Sequence, residues 1–246
     1  MIGMRVTRDR LDRQLVERGL VASREKAQAL IMAGDVLVNG RKAQKPGEQV
    51  ASSSQIQVAE RQRFVGRGGI KLQAALEYFE VNPAGMVCLD VGASTGGFTD
   101  CLLQNGAVRV HALDVGHGQL DWKLRNDSRV VVYEGVNARH LTIDVVGEAV
   151  DLAVCDVSFI SVTLILPRVA GVLKPQGEMI VLVKPQFEAG REQVGKGGIV
   201  RDPEVRQAAC DRVAAAAEAL GFRWSAMDSP IPGTEGNLEI LLHARR

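Results

Sequence analysis

From residue 86 onward, short runs of apolar and β-branched residues recur at intervals too long for hairpins. They are Met86–Val91, Arg109–Asp114, Val130–Tyr133, Asp151–Cys155 and Met179–Val183, with helical or loop patterns between them. Parallel neighbours need a long crossover, usually a helix, so the alternation predicts βαβ units. Runs apolar on both sides suit a sheet covered on both faces. A long helix should follow, with Asp202 as N-cap, Pro203 in the first turn and Gly221 as the stop. Two more strands are expected near Phe222–Met227 and Leu238–Ala244. Ahead of the first strand, Leu72, Ala75, Leu76 and Phe79 form a helical stripe. The expected fold is α/β, Rossmann-like, with a mainly parallel seven-stranded sheet and a small α+β domain in front of it.

The first strand runs into Cys88-Leu89-Asp90-Val91-Gly92-Ala93-Ser94-Thr95-Gly96-Gly97-Phe98. A strand, a glycine-rich turn and a helix make the nucleoside-binding corner of a doubly wound sheet. The second strand ends at Asp114, 24 residues after Asp90. A carboxylate there can accept both hydroxyls of an adenosine ribose. Nicotinamide dinucleotides favour GxGxxG, with pyrophosphate on the helix N-terminus. Here the turn reads GASTGG and follows Asp90, which would repel a pyrophosphate and suits a cation. S-adenosylmethionine, with its sulfonium and ammonium, is the expected cofactor. Its candidate contacts are Asp90, Gly92, Ala93, Ser94, Gly96, Gly97, Phe98, Asp114, Val115, Asn137 and Asp156. The rival class, a nucleotide-dependent oxidoreductase, fits this turn less well.

The front of the chain differs in charge. Residues 1–71 carry a balance of +7, and residues 72–246 a balance of −6. A basic head on an acidic body points to a polyanionic partner. Leu11, Leu15 and Val16 lie at helical spacing before Gly19. Ser23 can cap a second helix carrying Ala27, Leu30 and Ile31, stopped by Gly34. Val36–Val38, Asn39-Gly40 and Arg41-Lys42 read as a hairpin, since both turn residues need positive φ. Arg10, Arg13, Arg24, Lys26, Arg41, Lys42 and Lys45 stud this unit, and Arg63 and Arg67 follow in a polar stretch. Residues 10–50, from RLDRQL through SREKAQ and GDVLVNG to KPGEQV, resemble the S4 RNA-binding domain. The resemblance implies RNA contact by shape and phosphate. We expect this domain over 1–60, a linker over 61–68 and the larger domain over 69–246.

Four polar residues stand at strand ends or in apolar surroundings: Lys71, Asp156 after LAVC, Lys184 after IVLV, and Glu239 inside the last strand pattern. A Lys and a Glu in such settings need partners. Residues 62–246 resemble the FtsJ-like methyltransferase fold. The whole chain resembles the TlyA (haemolysin A) family of rRNA 2'-O-methyltransferases. RGGIKL, LDVGASTGGFTD, ALDVGHGQL, CDVSFISV and the long LVKPQFEAGREQVGKGGIVRD carry the likeness. Gly66 departs from it, since relatives often have serine there. The resemblance implies a Lys-Asp-Lys-Glu tetrad of Lys71, Asp156, Lys184 and Glu239, and cytidines of ribosomal RNA in the ribosomal subunits as substrate. Lys184 would be the general base, Asp156 its orienting partner, and Glu239 the partner of Lys71. Lys184 must first lose its own proton, which a neighbouring cation and partial burial favour.

Other classes are disfavoured. Cys88, Cys101, Cys155 and Cys210 form no CxxC pair, and His111, His117, His140 and His243 show no ligand spacing, so no metal is expected. No apolar run reaches the roughly 18 residues of a membrane span. Met1-Ile2-Gly3-Met4-Arg5 does not read as a signal peptide. A cytoplasmic enzyme without a membrane partner is expected. Oligomeric state is left open. Gly190–Val200 reads equally as a loop closing over RNA and as a plain connection.

Overall fold

The computed structural model describes residues 7–58 and 63–246. Met1–Arg5 and the first two residues of the expected linker, 61 and 62, lie outside them. The chain divides into two compact units, Met1–Gln62 and Arg63–Arg246.

The first unit begins with β1 (Arg8–Arg10) and α1 (Leu11–Glu17), then α2 (Arg24–Met32). Strands β2 (Val36–Val38), β3 (Arg41–Lys42), β4 (Gln49–Ala51) and β5 (Ile56–Val58) follow. They form a β1-β4 pair and a three-stranded β3-β2-β5 sheet. Ser23 caps α2 by accepting from the Lys26 amide at 3.2 Å. Asn39 and Gly40 take φ of 49° and 78°, closing the β2–β3 hairpin. Leu11, Leu15, Ala27, Ile31 and Val36 fill the core.

Two polar residues share that interior. Gln14 is buried and donates to the Val50 carbonyl. Asp12 is completely buried. It accepts from Arg10 Nε at 3.0 Å and Nη2 at 2.9 Å, and from Arg24 Nε and Gln28 Nε2, each at 2.9 Å. The Arg10 guanidinium, helped by Gln28 and Arg24, holds the Asp12 carboxyl well below the usual range. Arg10 and Arg24 are therefore internal partners as well as surface cations. Val16, expected on the apolar stripe, is only half-buried, because Asp12 and Gln14 occupy inward positions.

The second unit contains α3 (Gly68–Tyr78), β6 (Val87–Val91), α4 (Gly97–Gln104), β7 (Arg109–Leu113), α5 (Trp122–Arg125) and β8 (Val130–Tyr133). Then come α6 (Ile143–Val146), β9 (Val150–Cys155), α7 (Leu166–Val172), β10 (Leu173–Val183) and α8 (Pro185–Glu188). It closes with α9 (Pro203–Glu218), β11 (Arg223–Asp228) and β12 (Ile240–Arg245). The sheet order is β11-β12-β10-β9-β6-β7-β8. Only the β12 pairings among them are antiparallel. The mainly parallel seven-stranded sheet is thus the observed one.

Its strands alternate. Leu89, Val91, Cys155 and Val181 enter one apolar cluster, and Cys88, Val110, Leu152 and Ile180 the other. All four cysteines are buried and free. Strand β10 starts earlier than expected, at Leu173, with a shift of register before Glu178. Residues 63–68, the described part of the expected linker, are fastened to α4. The Val65 amide donates to Asp100 at 2.9 Å, and Gln104 Nε2 donates to the Arg63 carbonyl at 2.9 Å.

Parallel register sets the functional edge. Val91 lies opposite both Leu113 and Cys155, so Gly92, Asp114 and Asp156 emerge side by side. Strand β12 runs the other way, and its first residue, Ile240, pairs with Val183. Glu239 therefore arrives at the same edge as Lys184. It sits just before β12 rather than inside it.

Asp12→Ala should lower the stability of the first unit by about 2 kcal/mol, since three charge-assisted partners lose their acceptor. Hydrogen exchange of the α1 and α2 amides would show this. Unchanged protection would mean that Asp12 holds nothing together.

Candidate active site

The edge carries a cleft on each side of Asp156. One, of about 410 Å3, is lined by Gly92, Ser94, Asp114, Val115, Asn137 and Asp156, together with Gln119, Arg139 and Ile160. Asp114 is fixed in it. Its Oδ2 accepts from the Ser94 amide at 2.8 Å and its Oδ1 from the Gly116 amide at 2.7 Å. Each oxygen keeps a further lone-pair position for a ligand hydroxyl. Gly92 has φ of 85°, and a Cβ there would come within 2.4 Å of the Asp156 carbonyl oxygen. Only glycine lets β6 pass so near β9.

The other cleft, of about 430 Å3, is lined by Arg67, Lys71, Asp156, Phe159, Lys184 and Glu239, among others. A smaller space of about 170 Å3, touching Gly92, Ala93, Gly97, Phe98, Asp156 and Lys184, adjoins both. Asp156 and Ser158 line all three, so they stand where the clefts meet.

Within the second cleft the charges pair off. Lys71 and Glu239, both buried, are in contact. Lys184 Nζ lies 2.6 Å from Asp156 Oδ1 and donates to Ser158 Oγ at 2.9 Å. Asp156 Oδ1 accepts no well-formed hydrogen bond, so the contact with Lys184 is electrostatic. Arg67 Nη2 donates to the Pro232 carbonyl at 2.7 Å, which leaves the rest of its guanidinium at the wall. Phe159 is 88% exposed, has φ of 67°, and lies 5.4 Å from the Phe187 ring. A positive φ in a bulky aromatic costs free energy and persists only where the surroundings over-determine it.

Asp90 and Gly96 are not among the residues lining these clefts. Gly96 packs on Leu124. The side chain of Asp90 shares the face of Cys88 and points under the turn toward α4. It is fully buried, with Oδ2 accepting from Thr99 Oγ1 at 2.6 Å and Oδ1 without a partner. Burial, reinforced by the nearby charges of Asp156 and Asp114, pushes its carboxyl up to about 7, against the Thr99 hydrogen bond. Sequence reasoning missed Ser158, Phe159, Phe187, Gln119 and Arg139. An aromatic just past a strand end was the available signal for Phe159.

Arg63 lies over the Phe64 ring at 5.0 Å. On the first unit, Arg13 contacts Asp9 at 3.7 Å and Glu17 at 3.8 Å, while Lys26, Arg41, Lys42 and Lys45 are exposed. At Gly66, a Cβ would fall 2.8 Å from Thr95 Oγ1, so a serine would need Thr95 to turn. The loop Gly190–Val200 is tied at its end, where Asn237 accepts from the Val200 amide at 2.9 Å and donates to the Gly198 carbonyl at 2.8 Å. Among the described residues, no group of three or more His, Cys, Asp or Glu side chains could hold a metal ion, and no helix is long and apolar enough to cross a membrane.

A seven-stranded sheet with β12 turned against its neighbours, opening at its carboxyl edge beneath a glycine turn, is the architecture of Rossmann-like methyltransferases. The FtsJ-like methyltransferase family matches residues 64–246, and the S4 domain matches residues 9–56. The chain is 48% identical over 241 residues to the 16S/23S rRNA (cytidine-2'-O)-methyltransferase TlyA of Mycobacterium tuberculosis, covering 97% of this chain and 90% of that protein. It is 43% identical over 236 residues to hemolysin A of Brachyspira hyodysenteriae, covering 95% and 98%. A solved structure of a hemolysin-named protein from Streptococcus thermophilus matches with a TM-score of 0.74 at 43% identity, over 98% of this chain and 90% of that one. The chain belongs to the FtsJ-like methyltransferase family, in the group of TlyA and hemolysin A proteins that carry an S4 domain.

The raised carboxyl of Asp90 sets a pH dependence. The unfolded chain loses this proton near pH 4, the folded chain only near 7. Between those values the folded form binds the extra proton, so stability falls as pH rises. Thermal denaturation from pH 4 to 8 should show that decline, and Asp90→Asn should flatten it. An unchanged slope in the variant would place the titration elsewhere.

Proposed function

We propose that the chain transfers a methyl group from S-adenosylmethionine to a ribose 2'-hydroxyl, on a cytidine of ribosomal RNA. The observation that carries this reading is the Lys184–Asp156 pair at the junction of two clefts. One cleft has the features of a nucleoside site, and the other has room for a nucleotide beside a lysine. The relatives' names supply the cytidine and the rRNA.

The residues of the first cleft fit the cofactor. Asp114, steadied by two amides, offers lone pairs to ribose hydroxyls. Val115 and Asn137, which line the same cleft, would face the adenine. Asp90, expected to meet the cofactor directly, instead supports the turn from beneath through Thr99. When bound, S-adenosylmethionine supplies an electrophilic methyl group.

This chain's own residues handle the hydroxyl. Lys184 takes the 2'-hydroxyl proton, after giving up its own to solvent. Asp156 and Ser158 hold its Nζ at the junction, so the hydroxyl oxygen is positioned before it reacts. Lys71, paired with Glu239, lines the wall of the second cleft and holds it in shape without an unpaired buried ion. Arg67 presents further N–H donors to the backbone. Phe159 offers the nucleobase a stacking face. Residues 1–60 grip structured RNA through Lys26, Arg41, Lys42 and Lys45, with Arg10, Arg13 and Arg24 beside them and Arg63 further on. Residues 61–68 join that domain to the catalytic domain, 69–246.

The direct test is incorporation of labelled methyl into bulk ribosomal RNA, followed by mapping of the methylated ribose. Lys184→Ala should abolish incorporation yet still bind S-adenosylmethionine by calorimetry, whereas Asp114→Ala should lose that binding. Lys184→Arg should fail too, because a guanidinium stays protonated. A near-parental rate in Lys184→Arg would make Lys184 an electrostatic post rather than the base.

RNA affinity should fall steeply with added salt, and reversal of Lys26, Arg41 and Lys42 should flatten that slope without touching cofactor binding. Arg24 is left out because its loss would also disturb Asp12. Salt-independent affinity would dismiss the phosphate contacts.

A further inference from the structure

The two loops that carry Asp156 and Lys184 are joined at three levels. At the catalytic end are the Lys184 contacts with Asp156 at 2.6 Å and Ser158 at 2.9 Å. Next, Phe187 meets Phe159 with ring centroids 5.4 Å apart. Beyond them lies Glu188, one helical turn after Lys184 and only 2% exposed. Its Oε1 accepts from the Val162 amide at 2.7 Å, and its Oε2 accepts from Ser161 Oγ at 2.5 Å. Ser161 in turn lies 2.7 Å from Thr163 Oγ1 and receives the Thr163 amide at 3.3 Å. From the other side, Arg212 of α9 donates to the Glu188 carbonyl.

A carboxylate so deeply buried is held only by strong partners, and both of these belong to the loop after β9. That loop includes Phe159, whose φ of 67° persists only if the surroundings dictate it. Glu188 has no place in the chemistry proposed above and does not line either of the two large clefts. Burial pushes its carboxyl up from the ordinary glutamate range, against the pull of Ser161 and Val162.

We propose that Glu188 is a positioning residue that clamps the Asp156–Val162 segment to α8, and through it sets the Lys184–Asp156 geometry and the pose of Phe159. The clamp works by hydrogen-bond geometry and not by charge. A glutamine at 188 can keep it, with Oε1 accepting from Val162 and Nε2 donating to Ser161 Oγ, whose proton then passes to Thr163. An alanine cannot.

The proposal rests on the methyl-transfer reading, so it needs one readout tied to activity and one independent of it. In Glu188→Ala, kcat for RNA methylation should fall on the order of a hundredfold, the scale of a small misplacement of reacting groups, while KM for S-adenosylmethionine stays within about twofold. Glu188→Gln should restore kcat to within about threefold of the parent. With fluorophenylalanine-labelled protein, the Phe159 and Phe187 resonances should move or broaden in Glu188→Ala and return in Glu188→Gln, whether or not RNA is methylated. If Glu188→Ala does not fold, Ser161→Ala, which removes one strut, should show the same kcat loss and ring shifts in milder form. Parental kcat and unmoved rings in a folded Ala variant would overturn the clamp. Loss in Glu188→Gln equal to that in Glu188→Ala would overturn it as well, because charge would then be the active property. An inactive parent whose rings still respond to Glu188 would overturn the methyl-transfer reading and leave the clamp standing.

Discussion

Gly92 and the carbonyl of Asp156 meet where β6 and β9 run out of paired residues. The Asp156 amide still donates to the Val91 carbonyl at 2.9 Å, and one residue later the chains pass too closely for any Cβ. This approach fixes the floor between the two clefts. It places the Asp156 carboxylate at the junction, and it forces the backbone after Gly92 to turn into α4. A second close approach supports it from the side. Gly97 lies against the start of α3, where a Cβ would reach the Gly69 amide at 3.0 Å. That contact lets α3 carry Lys71 to the same edge. The glycine-rich turn is thus as much a packing device between three elements as a cradle for a ligand.

Charge is distributed along that edge so that no buried ion stands alone, with one exception. Lys71 is matched by Glu239 and Lys184 by Asp156, at the inner wall and at the junction respectively. Asp90 is the exception. It sits under the turn with one oxygen unpaired, and burial keeps its proton on into the neutral range. A fold tolerates such a group at a cost to stability. The same logic orders the first unit in reverse. There Asp12 is buried but fully satisfied, and its three partners give Arg10 and Arg24 defined directions instead of free rotation.

Much of this was legible in the sequence because it is local. The strand alternation, the Ser23 and Asp202 caps, the Asn39-Gly40 turn and the glycine-rich corner are each decided within a few residues by φ, by capping and by side-chain period. Asp114 could be placed at a strand end on spacing alone. The Lys71, Asp156, Lys184 and Glu239 set entered through family resemblance and not through spacing, since nothing local links residues as distant as Lys71 and Glu239, 168 positions apart.

What only the tertiary structure decided depends on faces and edges. The reversed direction of β12 brings Glu239 to the carboxyl edge, and a run of apolar residues does not reveal its direction. The pleat turns Asp90 toward Thr99 and away from the clefts, although its neighbours in sequence line them. Asp12 and Gln14 lie inside a helix stripe that reads as apolar, because the β1–β4 pair and two arginines offer partners there that the sequence does not pair with them. Glu188 reads as an ordinary polar residue after Phe187, and its place is set by a loop 26 residues earlier that folds against it. Hydrogen bonds of this kind satisfy buried groups, and which groups are buried is known only once the layers have packed.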